Sequence, residues 1–146
     1  MDEQAKRAAT ADLYALPGHL LWRAAARVTR QLNRTLPGPA DIHAYAALLA
    51  LADHEPQSQR GLARLVDVSG TTMTSVADGL QREGLVVRVR NPHDRRSYSL
   101  TRTAAGRAAV RRWRPDVVHV EAELTLALSP AEADRLRRLL HRLVAD

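Results

Sequence analysis

The stretch SQRGLARLVDVSGTTMTSVADGLQREGLVVRVRNPHDRRSYSLTRTAAG, Ser58 to Gly106, leaves few folds open. Ser58 offers an N-cap for a short helix carrying Leu62, Leu65 and Val66. Ser69 offers a second N-cap, for a helix through Met73, Val76, Ala77 and Leu80 that Gly84 closes as a C′ residue. Two short helices joined by so tight a turn read as a helix-turn-helix. Leu85 to Val89 is short and β-branched, a strand signal. A proline turn follows, and then Tyr98 and Leu100 alternate with Ser97 and Ser99, so the first pair is expected to pack and the serines to be wet. Helix, recognition helix and two-stranded ribbon in that order make a winged helix.

The flanks read as helices. Leu20, Ala24, Val28 and Leu32 recur every four residues between Leu13 and Leu32, with Pro17 suited to the first turn. Arg23, Arg27, Arg30 and Arg34 form a separate stripe, read as a solvated face. The stretch LPGP, Leu36 to Pro39, breaks the helix. Asp41 can cap the next, with Ile42, Tyr45, Ala46, Leu48 and Leu49 facing inward. Thr103 can cap a long helix reaching Leu128, bent near Pro115. Ser129 and Glu132 form a capping box with Pro130 at the first position. Leu136, Leu139, Leu140, Leu143 and Val144 then mark a buried face. The expected fold is mainly α with a two-stranded β wing, in the order α-α-α-α-β-β-α-α.

The 146 residues suffice for one domain with a core, and the absence of phenylalanine leaves that core to Leu, Val and Ala. The winged helix-turn-helix is expected over 40–102. The segments 12–36 and 103–146 carry more apolar face than one small winged helix can cover. A second copy is the simplest cover, so a homodimer is expected.

The formal charge is +6, and Lys6 is the only lysine among 22 basic residues. Arginine suits phosphates and base edges, because its guanidinium is a planar fork of donors. Gly70, Thr71, Thr72, Thr74 and Ser75 are small or hydroxyl-bearing, which permits close approach to a major groove. An ordinary helical hairpin with solvated hydroxyls is the alternative. The candidate DNA-binding set adds the cap residues Ser58 and Ser69 and, on the ribbon, Arg90, Asp94, Arg95 and Arg96. The ribbon tip is placed to meet phosphates or the minor groove. Asp94 would be repelled by phosphate and is read as a brace for the loop or for Arg96. A surface ion pair is its plainer role.

Other chemistry finds little support. The absence of cysteine excludes disulfides, thiolate metal sites and thiol redox sensing. The six histidines show no i, i+4 pair and no HExxH, and no phosphate-loop or nucleophile-elbow motif occurs, so no metal, cofactor or catalytic residue is expected. No apolar run could span a bilayer, and the polar N-terminus is no signal peptide, so a soluble cytoplasmic protein is expected. Arg111 to Pro115, with Trp113, reads either as a nucleic-acid or membrane contact or as a charged helix face with one packing residue. Trp22, His43 and Tyr45 are candidate ligand-binding residues, each an aromatic body with a polar tip, or else ordinary core. A helical module that binds an acidic protein through its basic surface is the rival function.

The motifs LARLVDVSGTTMTSVADGLQREGLVVR and DRRSYSLTRTAAG resemble the MarR (multiple antibiotic resistance regulator) family, over nearly the whole chain. The wing motif Asp94-Arg95-Arg96, followed by Thr103 and Gly106, is the most specific mark. The resemblance implies a homodimeric winged-helix transcription regulator, usually a repressor, with the first and last two helices forming the dimer interface. It also implies double-stranded DNA as partner and release by small phenolic or lipophilic ligands. Three positions depart from the family pattern. Ser75 stands where a basic residue is common. Gly61 replaces a carboxylate, so the helix from Ser58 loses its capping box. Arg102 replaces a leucine.

Overall fold

The computed structural model describes residues 12–36, 41–91 and 94–145, without the side chains of 91–97. The elements are α1 (Pro17–Thr35), α2 (Ile42–Asp53), β1 (Gln57–Ser58), α3 (Gln59–Leu65), α4 (Gly70–Arg82), β2 (Val86–Asn91), β3 (Asp94–Arg102), α5 (Ala104–Leu124) and α6 (Pro130–Val144). The chain divides into two compact units, Leu32–Val117 and the paired ends Met1–Gln31 with Val118–Asp146. The division falls within α1 and within α5.

In the Leu32–Val117 unit every expected cap forms. Asp41 accepts from the Ala44 amide at 2.7 Å, Ser58 from Gly61 at 3.0 Å and Ser69 from Thr72 at 3.0 Å. Gly84 takes φ +68, the left-handed conformation that closes α4. The helix α2 packs against α3, α4 and β3. Its buried residues are Ala44, Tyr45, Ala47, Leu48 and Leu51, while Leu49, expected inside, is exposed. The helix is apolar nearly all round, so its sequence does not mark which face turns inward. In α3, Ala63 is buried beside Leu62, and Leu65, expected inside, is exposed.

The sheet has three strands, in the order β1-β3-β2. The two-residue β1 was not expected; it pairs Gln57 with Leu100 and Ser58 with Ser99. In β3 the expectation holds for Leu100, which is buried, and fails for Tyr98, 51% exposed, and Ser99, only 5% exposed. Ser99 lies mid-sheet between Ser58 and Val89, where a small side chain is covered from both sides. Tyr98 stands opposite exposed Arg90, farther along the ribbon than Leu100, which is buried.

Both ends of the ribbon meet at one place. The Thr103 amide donates to the Leu85 carbonyl at 3.0 Å, and its hydroxyl donates to the Gly84 carbonyl at 2.7 Å. The same hydroxyl accepts from the Gly106 amide at 3.0 Å, capping α5. A Cβ on Gly106 would lie 2.0 Å from the Leu85 carbonyl oxygen, so only glycine permits this approach. The helix α5 continues through Pro115 and ends at Leu124, short of the expected Leu128. Trp113 is buried, which assigns it to packing; its indole N–H has no acceptor among the described residues.

The unit built from the chain ends is different. Gln31 donates to Glu123, linking α1 to the end of α5. Ser129 and Glu132 complete the capping box of α6, with the Ser129 amide donating to the Glu132 carboxylate at 2.8 Å. The Ser129 hydroxyl and amide hold that carboxyl below its ordinary pKa. The expected buried face of α6 is only partly covered by the described residues: none of its residues is buried, Leu136 and Leu140 are half-buried, and Leu139, Leu143 and Val144 are exposed. Leu20, Leu21 and Trp22 on α1 are exposed too. Among the described residues of this unit, Val120 alone is buried.

Candidate nucleic-acid interface

The first turn of α4 shows which hydroxyls are available. Ser69 accepts from the Thr72 amide, and its hydroxyl lies 2.8 Å from that of Thr72, so both serve the cap. The Thr74 hydroxyl donates back to the Gly70 carbonyl at 2.9 Å and accepts from Gln59 Nε2 at 2.7 Å. Ser58 is likewise engaged in capping α3. Thr71 and Ser75 remain, exposed on α4 and with no side-chain hydrogen bond among the described residues. Gly70 is exposed beside them and adds no side-chain bulk. Of the seven helix-turn-helix residues expected to meet DNA, three therefore offer an open surface, and four hold the fold in place.

Beside this surface lies a groove of about 590 Å³ lined by Gln59, Arg60, Ala63, Arg64, Val68, Gly70 and Thr74. Arg60 and Arg64 are exposed cations in it. Neither arginine is among the residues expected from the sequence, nor is Gln59. Their signal was recoverable: positions 60 and 64 share one face of a helix that leads into the turn. Farther along α4, Asp78 accepts from Arg88 of β2 at 2.6 Å, which neutralises the acid on this surface. Arg90 is exposed on β2. The side chains of Asp94, Arg95 and Arg96 lie outside the described residues, although the backbone from Asp94 belongs to β3.

The base of the ribbon is fixed by Glu55. Its Oε1 accepts from the Arg102 amide at 2.5 Å and from Arg102 Nε at 2.9 Å. Burial raises the Glu55 pKa, but the two bonds from Arg102 and the charges of Arg102 and Arg107 outweigh it and hold the carboxyl below its ordinary value. The arginine at 102 thus has a structural partner, which the sequence did not disclose. Gly61 is explained in the same way. The Ser58 amide donates to Gln57 Oε1 at 2.9 Å, the bond a capping-box carboxylate would supply, and a Cβ at Gly61 would fall 2.2 Å from that oxygen. The Gln57 amide does the work of the missing acid.

The three ligand candidates belong to two different units. Trp22 belongs to the chain-end unit, 66% exposed and stacked on His19 at 5.8 Å between ring centroids. Tyr45 is buried in the other unit, where His43 is half-buried on the same helix. No group of three or more metal-ligating side chains assembles among the described residues. No helix among them is long and apolar enough to cross a membrane.

Open hydroxyls at a helix start, flanked by arginines and a ribbon, can meet base edges and phosphates together. Comparison with known proteins agrees. The MarR family model matches residues 37–97. A Thauera aromatica protein assigned to transcriptional regulation of the hcr operon is 34% identical over 116 residues, 78% of this chain and 70% of that protein. The structure of Bordetella bronchiseptica BpsR, described for regulation of its DNA binding by 6-hydroxynicotinic acid, is similar at TM-score 0.81 and 28% identity, covering 90% of this chain and 95% of BpsR. The repressor CouR bound to a 23-mer DNA duplex is similar at TM-score 0.78 and 29% identity, covering 92% of this chain and 96% of CouR.

Proposed function

The chain belongs to the MarR family of transcriptional regulators, and on that premise we propose that it is a homodimeric repressor, not an enzyme, that binds a palindromic operator in cytoplasmic DNA. Residues 40–102 read the DNA, and 12–36 with 103–146 form the dimer. The observation that carries the reading is the pair of open hydroxyls of Thr71 and Ser75 on α4, with Arg60 and Arg64 beside its first turn. Arg95 and Arg96 add phosphate or minor-groove contacts from the ribbon, and Asp94 shapes its loop. The uncovered stripe of α6 supports dimerisation. A small aromatic ligand releases the DNA; that DNA binding by BpsR is regulated by 6-hydroxynicotinic acid supports a ligand of this kind. Trp22 is the candidate ring contact.

Selection from random double-stranded DNA, followed by titration at several salt concentrations, tests this. The expected product is an inverted repeat with half-site centres about one helical turn apart. Its affinity should fall steeply with salt as phosphate counterions are released. A single asymmetric site per dimer, or salt-independent binding, would overturn the proposal.

A further inference from the structure

The first residue of α3 stands beside the first turn of the recognition helix. Gln59 Nε2 donates to Thr74 Oγ1 at 2.7 Å, and Thr74 Oγ1 donates to the Gly70 carbonyl at 2.9 Å. The second bond fixes the sense of the first. A hydroxyl has one proton, and this one points to Gly70, so Thr74 can only accept from Gln59. That places the amide nitrogen of Gln59 on Thr74. Its Oε1 and its second N–H have no partner among the described residues. Gln59 lines the same groove as Gly70, Arg60 and Arg64.

A carboxamide held this way is a rigid pair of one acceptor and one donor. The major-groove edge of adenine presents the complement, a donor at N6 and an acceptor at N7. A glutamine rotating freely in water would lose side-chain entropy on making such a pair. Here the tether to Thr74 has already restricted it. The arginines in the same groove carry charge but no comparable lock.

We propose that Gln59 is a specificity-determining residue, reading one adenine in each half-site through its free carboxamide edge. Thr74 is its positioning residue and makes no base contact of its own. This rests on the DNA-binding reading above and assigns part of its sequence preference to a residue outside the recognition helix.

The test is selection from random DNA with wild type, Gln59→Met and Thr74→Val, followed by titrations on the selected operator. Gln59→Met keeps the length of the side chain and removes both polar groups. It should reduce discrimination at one symmetric pair of positions by about ten-fold, and leave the slope of log K against log salt unchanged. Thr74→Val should weaken preference at those same positions and at no others. Replacing the adenine there with 7-deazaadenine should weaken wild-type binding and leave Gln59→Met indifferent. A thermal melt of each variant establishes that it is folded. If Gln59→Met unfolds, the 7-deazaadenine response of the wild type and the Thr74→Val profile decide. A wild type that enriches no sequence defeats the DNA-binding reading itself. A wild type that enriches one, with Gln59→Met enriching the same sequence equally, defeats only the role of Gln59. Preference lost at a different position in Thr74→Val shows that Thr74 reads a base directly.

Discussion

In the Leu32–Val117 unit, Leu48, Leu51, Leu62 and Met73 are wholly enclosed, whereas in the unit made from the chain ends Leu143 is 69% exposed. The two sets obey the same rule of spacing. Apolar residues recur on one face of α4 and of α6 alike, yet the first face is buried, with α4 packed against α2, while no residue of the second is buried. An amphipathic stripe therefore states that a face is to be covered, without saying by which molecule. The unit that carries the candidate DNA surface supplies its own cover. The unit at the chain ends leaves Leu139, Leu143 and Val144 exposed, which the proposed dimer would cover.

The largest expected effect separates the units outright. Replacing Leu139 and Leu143 together with Asp should leave a monomer and lower operator affinity by about 100-fold or more, since two half-sites no longer act together. Light scattering and anisotropy titration measure both. Hydrogen exchange should show α2 and α4 still protected while α6 loses protection. A variant that stays dimeric at full affinity would place the interface elsewhere.

A second comparison sets enclosed against exposed leucine. Leu48→Ala should cost about 2–5 kcal/mol at any protein concentration. Leu143→Ala should cost less, with a loss that depends on protein concentration because it acts on association. Urea unfolding at two concentrations distinguishes them, and equal, concentration-independent losses would erase the contrast between the units.

Two glycines of the covered unit give a smaller contrast. Gly106→Ala should destabilise by about 1–3 kcal/mol, because the new carbon meets the fixed carbonyl of Leu85. Gly61→Ala meets the end of a flexible glutamine and should cost under about 1 kcal/mol. Thermal melts that rank them the other way would show the ribbon base to be the softer place.

The smallest effect concerns pH. The Glu55 carboxyl is held below its ordinary value of 4.5, so its contribution is complete above that value and is lost as pH falls through the folded pKa. Wild type should exceed Glu55→Gln in stability by under about 1 kcal/mol at neutral pH, with the gap closing as pH falls through the lowered pKa of the folded carboxyl. A gap that stayed constant down to pH 3 would mean that the carboxylate charge contributes nothing.

Much of this architecture was legible because capping chemistry is local. Asp41, Ser58, Ser69, Thr103 and Ser129 each bond within three residues of themselves, so sequence alone locates the helix starts. Gly84 was legible for the same reason. What escaped was non-local. The β1 strand has two residues and no periodicity to betray it, and its pairing to Ser99 comes from far along the chain. Ala63 is buried and Leu65 exposed, a choice of face that packing against other elements makes and composition does not mark. Arg102 looked like an anomaly until Glu55 stood beside it. At the candidate DNA surface, residue types drew attention to the hydroxyls. Only coordinates show that Thr74 is already engaged and that Gln59 engages it.

The meeting of Thr103 and Gly106 with Gly84 and Leu85 makes the ribbon a closed loop hung from a single knot. Its length is then independent of the helices on either side. Residues gained or lost at the tip change how far the ribbon reaches and leave α4 and the start of α5 where they are. One residue inserted between Arg102 and Thr103 does the opposite: either the knot is undone or the return strand slips by one, turning each of its side chains to the other face. Among descendants of this chain, variation in ribbon length should therefore gather at the tip, and the knot should keep its spacing.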